Sequence, residues 1–372
     1  MHLNSTDGRL SMRTKQRLMV LVTIIALLLM LFAAELGVRV RQHLKYGTAA
    51  TVEDYYTVDA KMGLRIPIAN LSSGHVSINS LGFRGPEVPV AKPSGTVRLA
   101  FLGASTTWCG EVSGNDYVWP HLVASSLSHE FPRVRFDYVN AAVPGYTMSS
   151  ILKSMERRVA TLEPDVVIIY EASNNLSGEL REIAAKQGVI ETAQWEPFSW
   201  PSRYSLLWLL AEKNLRVFSA QRSARTNPKR LSVDTTTLGK EYREELTQVV
   251  RAAQRSAKIV ALATFSIHPR VEQAEERQMS ASSSAFVYMP FVTPRLVIES
   301  FERYNQIVRE VARETGVLLI EGENDIPGDG LHFTDTVHFS DAGSKAMAER
   351  VTRALTLSAE LQDLVSKYVA AH

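Results

Sequence analysis

Residues 18–34 read LMVLVTIIALLLMLFAA, an uncharged stretch whose one polar side chain is Thr23, and no other feature limits the possible folds so strongly. A helix rises about 1.5 Å per residue and a bilayer's hydrocarbon core is about 30 Å thick, so this run, extended through Leu36 and Val38, is about long enough to span. We read residues 18–38 as an uncleaved signal anchor. The alternatives are a buried core helix and a cleaved signal peptide. Cleavage is disfavoured because the run exceeds a usual signal core and Leu31 and Phe32 stand where a cut would need small residues. Arg9, Arg13, Lys15 and Arg17 precede the span while Arg39, Arg41 and Lys45 follow it, so the charge bias is weak. For a bacterial chain, a short basic tail, one span and a long soluble remainder predict residues 1–17 in the cytoplasm. The remainder then faces the periplasm from the inner membrane.

The chain as a whole has an ordinary globular balance. Over 372 residues, 45% hydrophobic and 22% charged content excludes wholesale disorder and a polytopic membrane protein. Lys+Arg 41 against Asp+Glu 39 leaves +2, which gives no broad positive field for nucleic acid. The single cysteine, Cys109, cannot close an intrachain disulfide or build a cysteine-cluster zinc site, and it reads as a small buried filler. Residues 39–95 form a juxtamembrane stalk and N-terminal extension, with short extended pieces and turns over 61–85 and a linker over 86–95.

Past residue 96 the apolar runs become short, β-branched and separated by stretches of helical period. VRLAFLG (97–103), RFDYVNAA (135–142), DVVIIYEA (165–172), KIVALATF (258–265) and VLLIEG (317–322) each read as a strand buried on both faces. Helices are predicted over 117–130, 147–163, 240–257 and 296–315, with another from Ser340. Such alternation implies parallel pairing with right-handed crossovers, a three-layer α/β/α sandwich around a five-stranded parallel sheet. Residues 96–372 form this domain. It is interrupted at about 177–236 by an insertion holding Trp195, Trp200 and Trp208, which we read as a small helical subdomain with its own core rather than a cleft lining or a lipid contact.

In an open parallel sheet the ligand site forms beyond the carboxyl ends of the strands. The first strand ends in Gly103-Ala-Ser105-Thr-Thr, the second in Asn140-Ala-Ala-Val-Pro-Gly145 and the third in Glu171-Ala-Ser-Asn174-Asn175. Asp335-Thr-Val-His338 follows the fifth. This ordered pattern resembles the SGNH hydrolases, the GDSL esterase and lipase family, over roughly residues 97–350. The resemblance implies a flavodoxin-like SGNH fold with Ser105 as nucleophile, His338 as general base and Asp335 as its orienting carboxylate. It also implies an oxyanion hole made by Ser105, Gly145 and Asn174. The chemistry independently asks for these types: a serine hydroxyl needs an imidazole to take its proton, and the imidazole needs a partner fixing its tautomer. His332 is the rival base, set second because of the Asp335-x-x-His338 spacing and its greater distance from the following helix.

Ala104 replaces the aspartate of the GDS block, and Ala172 and Asn175 stand where the third block has glycine and aspartate. The chain is therefore similar to divergent bacterial relatives with GxSTT blocks. The expected activity is hydrolysis or transfer of ester-linked acyl groups, O-acetyl above all, on a cell-envelope or exported polysaccharide, with no metal or organic cofactor. The alternatives are a non-catalytic carbohydrate-binding or envelope-assembly scaffold and a lipase or thioesterase.

Overall fold

The computed structural model describes residues 12–46, 55–194, 198–226 and 229–371. Arg9, residues 47–54 of the predicted stalk and Trp195 lie outside the described residues. Two compact units are present, one made of residues 12–46 with 198–214 and the other of the remaining described residues.

In the first unit the apolar run is part of one 35-residue helix, Met12–Tyr46. Over Met12–Leu44 it is long and apolar enough to cross a membrane, and none of its most apolar window is buried by protein. A core helix buries its apolar face, which this helix does not do among the described residues. The helix also continues past residue 38, so the predicted stalk begins as helix.

The second unit opens with two short antiparallel hairpins, Tyr56–Asp59 with Leu64–Pro67 and Ser72–Ser73 with Val76–Ser77. The sheet follows: β1 (Thr96–Gly103), β2 (Arg135–Asn140), β3 (Val166–Tyr170), β4 (Ile259–Ala263) and β5 (Leu318–Ile320). All neighbours pair parallel, in the order β2-β1-β3-β4-β5. This is the flavodoxin-like winding, with its topological switch between the loops after β1, β2 and β3. All residues of β1, β3 and β4 are buried, as their near-continuous apolar sequences demand. Arg98 inside β1 is tolerated there because Asp137 of β2 takes its guanidinium through two bonds of 2.9 and 2.8 Å and the Leu162 carbonyl takes a third at 2.9 Å.

The crossover helices start where their sequences provide caps. Pro294–Thr315 begins with proline in its first turn and the Thr293 hydroxyl on the Leu296 N–H, buries a stripe including Val297, Phe301, Tyr304, Val308 and Val311, and stops at left-handed Gly316 (φ 67°). Asp341–Leu357 is capped by Ser340. It packs with Trp119–Glu130 on one face of the sheet, while Lys240–Gln254 packs with Met148–Ser154 and Pro294–Thr315 on the other.

The four later strands end about two residues before their apolar sequences do. Ala141-Ala142, Glu171-Ala172 and Thr264-Phe265 are buried but leave the ladder, turning there into the loops that carry the site. Helix Ser173–Lys186 starts directly after β3, so residue 177 falls inside a helix. Trp200 and Trp208 are 70% and 53% exposed, so they do not form the separate core expected of the insertion.

Candidate active site

β1 delivers Ser105 as the first residue of a one-turn helix, Ser105–Trp108. The turn is tight enough to demand Gly103: a Cβ there would lie 2.2 Å from Thr107 Oγ1 and 2.5 Å from the Tyr170 carbonyl. The Thr107 hydroxyl donates to that carbonyl at 3.2 Å, and Asn140 Nδ2 donates to the Thr107 carbonyl at 3.0 Å. The Ser105 turn is thus tied to the ends of both flanking strands.

The Asp335 loop comes from the far side of the sequence and meets this turn. His338 Nε2 lies 2.8 Å from Ser105 Oγ, and His338 Nδ1 lies 2.8 Å from Asp335 Oδ2. The other carboxylate oxygen, Oδ1, accepts the Val337 and His338 N–H groups at 2.9 Å each. Spacing does not separate the two histidines, since Asp329 also stands three residues before His332 and pairs with its Nδ1 at 2.8 Å. What separates them is reach: His338 is the one hydrogen-bonded to the serine.

Charge around His338 is predominantly negative. Burial works to lower its pKa, but the hydrogen bond it donates to Asp335 and the nearby carboxylates of Glu111, Asp335 and Glu171 outweigh it and raise it to about 9. Burial would likewise raise Asp335, yet its bonds with His338, the histidine's charge and the two backbone N–H groups hold it below the usual carboxylate range.

Gly145 lies on the loop after β2 with φ +86°, a conformation that favours glycine. Asn174 follows β3; its Nδ2 donates to the Tyr146 carbonyl at 2.8 Å, so the two loops are joined one residue from Gly145. Neither the Ser105 nor the Gly145 N–H donates to a described residue. Asn175 is structural: its Oδ1 caps Met148 N at 2.9 Å and its Nδ2 reaches Glu245 at 2.9 Å. An amide can both accept and donate there, which accounts for asparagine in place of aspartate. Ala104 is fully buried, and Cys109 is buried as a filler, its thiol pushed up to about 12 by desolvation.

Three residues support the site in roles that the sequence alone does not suggest. Arg84 is buried, and it donates to the Trp108 and Cys109 carbonyls at 2.8 and 2.7 Å and to Asn115 Oδ1 at 2.9 Å. It thereby satisfies the carbonyl end of the turn that Ser105 begins. Arg65 donates to the Pro144 carbonyl at 2.5 Å and accepts, through its own carbonyl, the Tyr146 hydroxyl at 2.7 Å, fixing the Gly145 loop. Glu171 is buried beneath Asn174, whose N–H it accepts at 2.7 Å, while its Oε2 has no hydrogen-bond partner. Desolvation raises it to about 7 against those hydrogen bonds. The turns over 61–85 mark structure but not purpose for Arg65 and Arg84, and Glu171 stands in the block after the third strand with no role attached. Among the described residues no group of three or more His, Cys, Asp or Glu side chains is placed to hold a metal.

A model of the GDSL-like Lipase/Acylhydrolase family matches residues 101–346. No curated protein matches the chain. Among solved structures, Axe2, an acetylxylan esterase from Geobacillus stearothermophilus, is similar at 18% identity over 71% of this chain and 96% of that one, with a TM-score of 0.43. LAE5, an alpha/beta hydrolase enzyme from the metagenome of Lake Arreo, Spain, is similar at 18% identity over 69% and 94%, with a TM-score of 0.42.

Proposed function

The chain belongs to the GDSL-like lipase and acylhydrolase family, and on that premise we propose that this SGNH-type ester hydrolase works through Ser105, His338 and Asp335. The observation that carries the assignment is the unbroken line from Asp335 through His338 to Ser105, with both links at 2.8 Å. Ser105 Oγ attacks the ester carbonyl as its proton passes to His338 Nε2, and the negative charge moves to the carbonyl oxygen. The Ser105 and Gly145 N–H groups and the Asn174 amide are the donors for that oxyanion, each worth about 100- to 1000-fold in rate. Collapse breaks the ester bond, His338 returns the proton to the departing alcohol, and an acyl-enzyme remains. Water or a sugar hydroxyl, deprotonated in turn by His338, then releases the acyl group.

The substrate class follows from location. An inner-membrane anchor with the hydrolase unit in the periplasm would place the serine among envelope and exported polysaccharides, and their O-acetyl esters are the proposed substrates. Treating the detergent-solubilised full-length chain with a fluorophosphonate probe tests the nucleophile. Labelling should map to the Ser105 peptide and vanish in Ser105→Ala, whereas an unlabelled but folded protein, or label persisting in the variant, sinks the assignment. Comparing acetyl with long-chain model esters then separates an acetyl esterase from a lipase.

The base must be neutral to accept a proton. With His338 held near about 9, kcat/KM on an acetyl ester should climb with pH until about 9, well above the about 6.5 of an unperturbed histidine. Removing one nearby negative charge, as in Glu171→Gln, should move that limb to lower pH. A wild-type limb at 6 to 7 would show that the carboxylates do not act on the base.

A further inference from the structure

Residues 204–207 are hydrogen-bonded to the apolar helix at the level where its uncharged run ends. Glu35, the first charge after residue 34, accepts the Leu206 and Leu207 N–H groups at 3.1 and 2.9 Å and the Ser205 hydroxyl at 2.8 Å. It therefore caps the orphan donors that open helix Leu206–Thr226. Arg39, one turn on, pairs with Glu35 at 2.7 Å and donates to the Tyr204 carbonyl at 3.1 Å. A carboxylate next to a membrane-grade run is expensive unless its partners are supplied, and here backbone and hydroxyl donors of one segment supply them.

Residues 198–208 around it turn three aromatic side chains outward. Trp200, Tyr204 and Trp208 are 70%, 68% and 53% exposed. They are also ordered: the Trp200 and Tyr204 rings lie 5.4 Å apart, Trp208 Nε1 donates to Ser199 Oγ at 2.9 Å, and Glu212 holds Ser199 and Ser202. Water is a poor neighbour for three large rings in a fixed arrangement. Tryptophan and tyrosine prefer the headgroup level of a bilayer, where the ring is sheltered and its N–H or O–H stays wet. Glu35 and Arg39 are about 6 Å apart along the axis, so the bonds to them fix the height of the segment to that boundary. Arg41 adds a cation suited to phosphate headgroups.

We propose that residues 198–208, hydrogen-bonded to Glu35 and Arg39, seat Trp200, Tyr204 and Trp208 in the lipid–water interface of the bilayer crossed by the helix. The segment is then an interfacial collar on a single-pass anchor. This rests on reading residues 18–38 as a retained anchor.

The test reconstitutes the full-length chain into phosphatidylcholine vesicles whose acyl chains carry bromine either near the headgroup or near the chain end. Tryptophan fluorescence should be quenched more by the shallow bromines. Trp200→Phe combined with Trp208→Phe should lose most of that quenching, because Trp108 and Trp119 are buried in protein and Trp195 is common to both proteins. Glu35→Ala should weaken the quenching while the chain still floats with the vesicles. A floating chain whose quenching is the same with and without Trp200 and Trp208 overturns the collar and leaves the anchor standing. A chain that does not float overturns both.

Discussion

Replacing His338 with alanine is expected to lower kcat about 10⁶-fold, as loss of the base does where serine and histidine act as a unit. The residual rate should be that of the oxyanion donors and substrate binding alone. Ser105→Ala should fall to the same level, and the double variant should be no worse, since either change removes the same proton transfer. His332→Ala is the control, because His332 is engaged with Asp329 and has no bond to the serine. Steady-state rates on an acetyl ester, with near-native circular dichroism for each variant, decide the matter. A His338→Ala enzyme within tenfold of wild type would remove it as the base.

The site was legible because of where the fold puts it. In a doubly wound sheet the chemistry sits past the carboxyl ends of the strands, and β1, β3 and β4 are announced by buried apolar runs. Ser105, Gly145, Asn174 and the Asp335/His338 pair could be proposed, through their resemblance to the SGNH blocks, without knowing any contact between them. What supports them could not be. Arg84 acts on carbonyls 24 and 25 residues away, and Arg65 acts on a carbonyl 79 residues away; a carbonyl leaves no mark in the sequence. The strand ends were overrun for a related reason. Ala141, Glu171 and Phe265 stay as buried as strand residues after the chain has left the ladder, so hydrophobicity persists where pairing has stopped.

The same limit explains the histidine's environment and the collar. A lone histidine suggests titration near about 6.5, and only the three-dimensional gathering of Glu111, Glu171 and Asp335 reverses that expectation. Trp200 and Trp208 suggest a core because tryptophan usually has one. Their exposure makes sense only once Glu35, more than 160 residues earlier, is seen to cap the helix beside them.

Asp335→Asn should leave the fold and substrate binding nearly intact while lowering kcat about 10⁴-fold. The amide is isosteric, and its oxygen can still accept the Val337 and His338 N–H groups that Asp335 Oδ1 accepts now. Its nitrogen then faces His338 Nδ1 from 2.8 Å, where the carboxylate oxygen stood. A donor in that position makes Nδ1 the acceptor, so the neutral ring must carry its hydrogen on Nε2, the atom that has to take the Ser105 proton. The enzyme would hold its base in the wrong tautomer. Charge contributes too: Asp335 is one of the groups raising the histidine, so the small remaining activity should show its acid limb below that of the wild type. The kinetic signature is a fall in kcat with KM little changed, measured across pH 6 to 10. A variant that keeps most of its kcat would mean that the imidazole is held and oriented without Asp335, and the carboxylate would then be a loop-closing residue only.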